Sequence, residues 1–357
     1  MRAILALLRT TILLLITGLL LGGWWLLPDQ RLRPVGLGGS TEDSSLRLQG
    51  LRRDYLLYVP AHLAPKPPLL IVLHGLRSNG EGMRRLSGYG FDALADRDGF
   101  LVLYPDGYDG HWNDCRRQAP YTARARQIDD VAYLTQLIQR LRRERQVDPQ
   151  RVFVVGYSNG GHMALRLAAE AVQPPTAIAL VAASLPAVEN DVCQRNERAL
   201  PALLMAGTRD PINPYTGGEV SFFGLQSRGQ VLSATDSALA LARRNRLSGE
   251  AQRENLTAPG PIWTQAQRWS APGHPPVELV TVQGGGHVLS QPVYRAPRLL
   301  GEADPQLDGP GLIWRFFEEA VPPTAVPVAE PPPTTTDEAS EMDEPPMPDA
   351  EPVPTDR

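Results

Sequence analysis

The order of apolar runs along the chain predicts an α/β fold, a single domain whose mainly parallel sheet carries helices on both faces. Three observations predict it. Short, almost wholly apolar runs such as Leu69-Leu70-Ile71-Val72-Leu73 and Val152-Phe153-Val154-Val155 read as strands buried on both faces. Between such runs lie segments with apolar residues at helical spacing, as at Met163, Ala164, Leu165, Leu167 and Ala168. The two patterns alternate through most of the chain, and that alternation calls for parallel strands joined by helical crossovers.

Residues 1–28 place Arg2 and Arg9 ahead of a 17-residue apolar run, Thr11 to Leu27, with Trp24 and Trp25 near its end. This is the pattern of an export segment. With no small-x-small cleavage site in view, an uncleaved signal anchor is favoured over a cleaved signal peptide. The expected location is outside the cytoplasm, periplasmic or secreted, with the membrane as a partner through residues 11–27 if the segment is kept. Residues 29–44 read as a polar linker and residues 45–320 as the folded domain.

That domain opens with an antiparallel pair, Leu46 to Leu48 and Asp54 to Val59, around Gly50. The strand at Leu69 to Leu73 follows, then a helix from Gly80 to Asp96 and a strand from Phe100 to Tyr104. A long loop carrying Trp112 and Cys115 leads to a helix from Ile128 to Arg145, with Asp129 and Asp130 suited to its N-terminal end. After the strand at Val152 and its helix come strands at 176–183, 201–207 and 277–282, and helices at 232–246 and 311–320. From residue 321 to 357 the chain holds 11 Pro, nine acidic residues and one basic residue, a composition that buries no core. It reads as a disordered acidic tail with polyproline character.

The net charge of −4 is concentrated in that tail, so no basic excess points to nucleic acid. The two cysteines and scattered histidines make no metal-ligand cluster, and no cofactor is implied. Nothing in the sequence names a protein partner.

The chemistry is written at Gly156-Tyr157-Ser158-Asn159-Gly160, where a strand runs directly into a helix. A serine on so sharp a turn needs glycines two before and two after to keep bulk away from strained backbone. Its hydroxyl is a poor nucleophile and needs a base within reach and a carboxylate to orient that base. In such sheets the working residues follow the carboxyl ends of strands. Asp210 does so in Gly207-Thr208-Arg209-Asp210, and His287 does so in Gly284-Gly285-Gly286-His287. The order Ser, Asp, His is that of the α/β-hydrolases. His111 is the second choice of base. His162 packs against the sheet on this reading, and His62, His74, His111 and His274 fall in turns or loops. Asp114 and Asp236 read as surface residues. Two backbone donors should hold the oxyanion: the N–H of Asn159, and the N–H of Leu76 in the turn after His74-Gly75. Trp112, Tyr157, Tyr215 and Phe222 are candidates for lining the cleft, with core packing the equal alternative for each. Cys115 and Cys193 both follow predicted strands on the Ser158 side of the sheet, and in an exported chain they are compatible with a bridge.

Arg53-Asp54-Tyr55-Leu56-Leu57-Tyr58-Val59-Pro60, the Leu-His-Gly turn, Tyr104-Pro105-Asp106-Gly107, Gly156-Tyr157-Ser158-Asn159-Gly160-Gly161, Gly207-Thr208-Arg209-Asp210-Pro211 and Gly285-Gly286-His287 resemble the polyhydroxybutyrate depolymerase and feruloyl esterase family of secreted α/β-hydrolases. The resemblance spans about residues 45–320. It implies an exported serine carboxylic-ester hydrolase with Ser158, Asp210 and His287 as its triad, acting on a small or polymeric ester. It also matches Cys115 and Cys193 to the family's cysteine positions. Two departures concern specificity: Leu76 stands where many relatives carry cysteine, and Val288-Leu289-Ser290-Gln291 where many carry Thr-Trp-Pro-Gly. A serine peptidase on the same fold and a non-catalytic envelope binding protein are the rival readings.

Overall fold

The computed structural model describes residues 2–26, 36–193 and 198–322. Helix α1 (Arg2–Leu26) covers the apolar N-terminal run. Among the described residues no helix is long and apolar enough to cross a membrane, so the anchor reading rests on sequence alone. Residues 29–35 of the predicted linker and all but the first two residues of the predicted tail lie outside the described residues.

The body of the chain runs β1 (Ser40–Leu48), β2 (Leu51–Val59), β3 (Leu69–Leu73), α2 (Gly80–Leu86), α3 (Gly90–Asp98), β4 (Leu101–Pro105), α4 (Thr122–Ala125), α5 (Asp130–Glu144), β5 (Val152–Tyr157), α6 (Asn159–Glu170), β6 (Ala177–Val181) and β7 (Ala202–Gly207). The two-residue strands β8 (Gly218–Glu219) and β9 (Gln230–Val231) follow. Then come α7 (Ala234–Arg244), β10 (Gln252–Asn255), β11 (Trp263–Ala271), β12 (His274–Gln283) and α8 (Gly309–Ala320). Ten strands form one sheet in the order β1-β2-β4-β3-β5-β6-β7-β12-β11-β10. Its six central strands, β4 to β12 in that order, are parallel, and antiparallel strands flank them on both edges.

Alternation along the central strands builds two cores, because successive side chains leave a strand on opposite faces. Leu69, Ile71 and Leu73 of β3 pack with Leu137 of α5, Met163 of α6 and Leu241 of α7. Leu70 and Val72 pack with Phe91 of α3 and with Trp314 and Phe317 of α8. With both faces covered, the parallel strands are apolar at nearly every position, which is why they were legible as unbroken runs.

The structure corrects several boundaries. The domain begins at Ser40, inside the predicted linker, because Ser40–Leu48 pairs residue for residue with Leu51–Val59. The helix expected from Gly80 to Asp96 is two helices broken at Gly88 and Tyr89, both with positive φ (63° and 58°). A Cβ at Gly88 would meet Gln291 Oε1, so this break is where the loop after His287 comes close. Strands β10 and β11 are additions. His274 starts β12 rather than lying in a loop.

Candidate active site

Three parallel strands end at the same edge of the sheet, and each is followed by one residue of the predicted triad. Ser158 comes immediately after β5, at φ 54° and ψ −117°, a conformation that costs on the order of 1–3 kcal/mol for a non-glycine residue. The neighbouring glycines make it attainable. A Cβ on Gly156 would lie 2.2 Å from Gly160 O, and one on Gly160 would lie 2.4 Å from Leu73 O. Any side chain at either position would push the elbow off the sheet.

His287 follows β12 and is 3% exposed. Its Nε2 lies 2.8 Å from Ser158 Oγ, and its Nδ1 lies 2.7 Å from Asp210 Oδ2. The other carboxylate oxygen, Asp210 Oδ1, accepts from Ile212 N and Asn213 N, each at 2.8 Å, which fixes the carboxylate plane. The glycine run before His287 lets two loops touch: a Cβ on Gly286 would sit 2.2 Å from Leu300 O, and one on Gly207 would sit 2.4 Å from both Gly285 O and Gly286 O. The His287 carbonyl accepts from the buried Tyr157 hydroxyl at 2.7 Å. That fixes the backbone carrying the imidazole, and burial holds the phenol protonated by raising its pKa.

The turn after β3 presses against Ser158. A Cβ on Gly75 would lie 2.8 Å from the Tyr157 ring and 3.5 Å from Ser158 Cβ, so the 75–76 backbone passes directly beside the hydroxyl. His74 holds this turn from behind. Its Nδ1 lies 2.7 Å from Gly75 O and so donates, while its Nε2 accepts from Gly107 N at 2.8 Å. That pair of bonds requires the neutral ring, and burial pushes its pKa down to about 4. On the other side, Asn159 is the first residue of α6, whose backbone N–H has no partner within the helix. Its side chain is pinned: Oδ1 accepts from Trp112 N at 2.8 Å, and Nδ2 donates to Trp112 O and to Asp114 Oδ2.

The predicted lining residues separate into two pairs. Tyr157 and Phe222 face a cavity of about 220 Å³ that reaches Ser158 and His287, with Leu76 at its rim. Trp112 does not. It is fully buried, its indole N–H donating to His74 O at 2.9 Å, so it supports the turn from inside. Tyr215 is also elsewhere, half-buried with its hydroxyl 3.0 Å from Thr281 Oγ1 and its ring on the core beneath α7. His111 lines an outer groove rather than meeting Ser158. His162, buried on the first turn of α6, lines the same inner cavity as Ser158 and is kept neutral by burial.

Asp114 is the main correction. Read as a surface residue, it is fully buried and accepts from Arg116 N, Nε and Nη2 at 2.8, 3.2 and 2.6 Å, and from Asn159 Nδ2 at 2.6 Å. Burial opposes its ionisation, but the Arg116 guanidinium outweighs burial and holds its carboxyl below the usual carboxylate range. Cys115, next in sequence, is bridged to Cys193 with Cα atoms 5.1 Å apart. Asp130 pairs with the buried Arg53 at 2.7 Å, and Asp129 caps α5. Asp236 bonds Ser233 at the start of α7.

Residues 53–217 match the family model described as esterase PHB depolymerase. NocK of Nocardia uniformis subsp. tsuyamanensis, which carries the name esterase, is 29% identical over 288 residues, covering 77% of this chain and 81% of its own. The bifunctional acetylxylan esterase/xylanase XynS20E of Neocallimastix patriciarum is 30% identical over 173 residues, covering 47% of this chain and 23% of its own. Feruloyl esterase B of Piromyces equi is 27% identical over 230 residues, covering 62% of this chain and 39% of its own. The chain thus spans about four-fifths of NocK and well under half of the other two relatives. The solved acetyl xylan esterase from Aspergillus awamori shares the fold with a TM-score of 0.50 at 17% identity, over 70% of this chain and 95% of that one. A parallel sheet with a strained serine at its carboxyl edge and a family match across that serine lead to one conclusion: the chain is similar to the polyhydroxybutyrate depolymerase family of esterases over residues 53–217 and is a carboxylic-ester hydrolase on an α/β-hydrolase fold.

Proposed function

We propose that the chain is an exported serine esterase that works through Ser158, His287 and Asp210 by way of an acyl-enzyme. The observation that carries this reading is the unbroken hydrogen-bonded line from Ser158 Oγ to His287 Nε2 and from His287 Nδ1 to Asp210. Ser158 Oγ attacks the ester carbonyl carbon as its proton passes to His287 Nε2. The carbonyl oxygen takes the negative charge and is held by the Leu76 and Asn159 N–H groups. Collapse of the intermediate expels the alcohol oxygen, which leaves with the proton from His287. A water then gives its proton to the same nitrogen and attacks the acyl-enzyme, and the carboxylic acid departs as Ser158 recovers its hydrogen. Asp210 keeps the Nδ1–H tautomer and stabilises the imidazolium.

One side of the ester fits the cavity of about 220 Å³. The other extends along an open groove of about 790 Å³ that shares Leu76, Tyr121, Phe222 and Arg228 with it. Relatives named as acetylxylan and feruloyl esterases support a short or aromatic acyl group on a larger alcohol. The Cys115–Cys193 bridge and the apolar N-terminal run support export. The test is hydrolysis of 4-nitrophenyl acetate and butyrate by the full chain beside Ser158→Ala. Turnover that vanishes with the substitution is expected. A folded wild type that hydrolyses neither ester overturns the reading.

A further inference from the structure

Arg228 carries a charge that the fold meets only with neutral partners. It is 3% exposed, and it lies where the inner cavity opens into the outer groove, lining both. Its Nε donates to the Tyr121 hydroxyl at 2.9 Å and its Nη1 to Gln226 O at 2.9 Å, both neutral acceptors. No carboxylate among the described residues pairs with it: its guanidinium carbon lies 5.7 Å from the centre of the Tyr121 ring, and Nη2 has no hydrogen-bond partner. The other guanidinium in this wall, Arg116, is balanced by Asp114 at 2.6 Å, so the pair cancels and Arg228 leaves a net positive charge on the wall of the cavity that Ser158 also lines. Arg77 and Asp109 stand at the exposed mouth of the groove.

Taking a guanidinium out of water without a counter-charge costs several kcal/mol, and a neutral amide would bridge Tyr121 and Gln226 more cheaply. The position is also built rather than incidental. The Arg228 backbone is held by its N–H to Val220 O at 2.8 Å and by Asn190 Nδ2 to its own carbonyl at 3.0 Å. Tyr121 is fixed in turn by Arg116 Nη2 at 3.2 Å, so the free nitrogen is presented in one place. A fixed, unpaired, desolvated cation on the wall of a cavity is a receptor for an anion.

We propose that Arg228 is a specificity-determining residue that binds a carboxylate on the ester substrate, so that the enzyme prefers half-esters of dicarboxylic acids or esters of hydroxy acids over neutral esters. The inference rests on the serine esterase reading, and its test separates the two. Two substrate pairs are compared with the full chain: mono-4-nitrophenyl glutarate against 4-nitrophenyl valerate, with the carboxylate on the acyl side, and 4-acetoxybenzoate against 4-methylphenyl acetate, with it on the alcohol side. Each kcat/KM is divided by the ester's alkaline hydrolysis rate. At least one pair should favour the anionic ester by about 10-fold or more, since a charge-assisted bond of this kind is worth roughly that factor. Arg228→Gln should reduce the anionic-to-neutral ratio by about as much, chiefly through KM, with Arg228→Lys in between. A wild type that shows no preference in either pair overturns the proposal, whatever the variants do, while leaving the esterase reading in place. So does an unchanged ratio in folded Arg228→Gln. Failure to hydrolyse any of the four esters removes both.

Discussion

Asp114→Asn is the substitution that most exposes how the site is supported. It keeps the shape of the side chain and removes its charge, in a place where four donors converge on one carboxylate. The new amide must turn an N–H toward either Arg116 or Asn159, each of which also presents a donor. Arg116, 2% exposed, is then a buried cation without a counter-charge. Removing one partner of such a pair costs about 3–5 kcal/mol, and in a domain of this size each kcal/mol lowers Tm by about 2–4 °C. The melting temperature at pH 7 should fall by about 10 °C. Because Asn159 loses a tether beside its proposed oxyanion donor, kcat for 4-nitrophenyl acetate should fall by about 10-fold, less than the 10²–10³ expected for losing a donor outright. The pH dependence has a definite sign. A carboxyl held below its unfolded value contributes stability above about pH 4, and that contribution is lost as pH falls through the lower native value. The gap between wild type and variant should therefore be constant above about pH 5 and narrow below pH 4. A Tm change under about 2 °C with kcat within about twofold would refute the reasoning. So would a gap that widens in acid.

Asp210→Asn should lower kcat by about 10⁴-fold at neutral pH with little change in KM, because the amide favours the wrong imidazole tautomer; esterase kinetics on the purified variant measure this. Burial holds His74 at about 4 against the ordinary 6.5, so the native state binds fewer protons between those values, and the stability it supplies is whole above pH 6.5 and lost toward pH 4. That loss amounts to about 3 kcal/mol, and His74→Gln should flatten the slope of urea midpoints across this window, whereas equal slopes contradict the assignment. Replacing Cys115 and Cys193 by Ser opens a loop closed over 78 residues and should cost about 4 kcal/mol in denaturant unfolding under non-reducing conditions.

What the sequence disclosed and what it withheld follow from how burial arises. Strands β3 and β5 are covered on both faces, so Leu69 to Leu73 and Val152 to Val155 are apolar throughout and stand out. The elbow was legible because Gly156 and Gly160 answer to backbone oxygens a few ångströms away, a local demand with a local signature. Strand β10 is an edge strand exposed at all its positions, Gln-Arg-Glu-Asn, so nothing apolar announces it, and β11 beside it alternates Thr264, Ala266 and Trp269 inward with Gln and Arg between, too sparse an apolar pattern to stand out. Asp114 was misread because its burial depends on Asn159, 45 positions along the chain, and on the Arg116 side chain folding back over it. Trp112 stood open between cleft and core because a large aromatic near the site suits either role; only the His74 carbonyl behind it decides for support.

The central claim is that Ser158 forms a covalent intermediate, and its most direct test is to find that bond. The full chain is quenched in acid during turnover of 4-nitrophenyl acetate, or treated with a fluorophosphonate, and the modified peptide is sequenced by mass spectrometry. One acetyl or phosphonyl group on Ser158, absent from Ser158→Ala, is the predicted result. An active enzyme that carries the group on another residue, or is never labelled, would contradict the account.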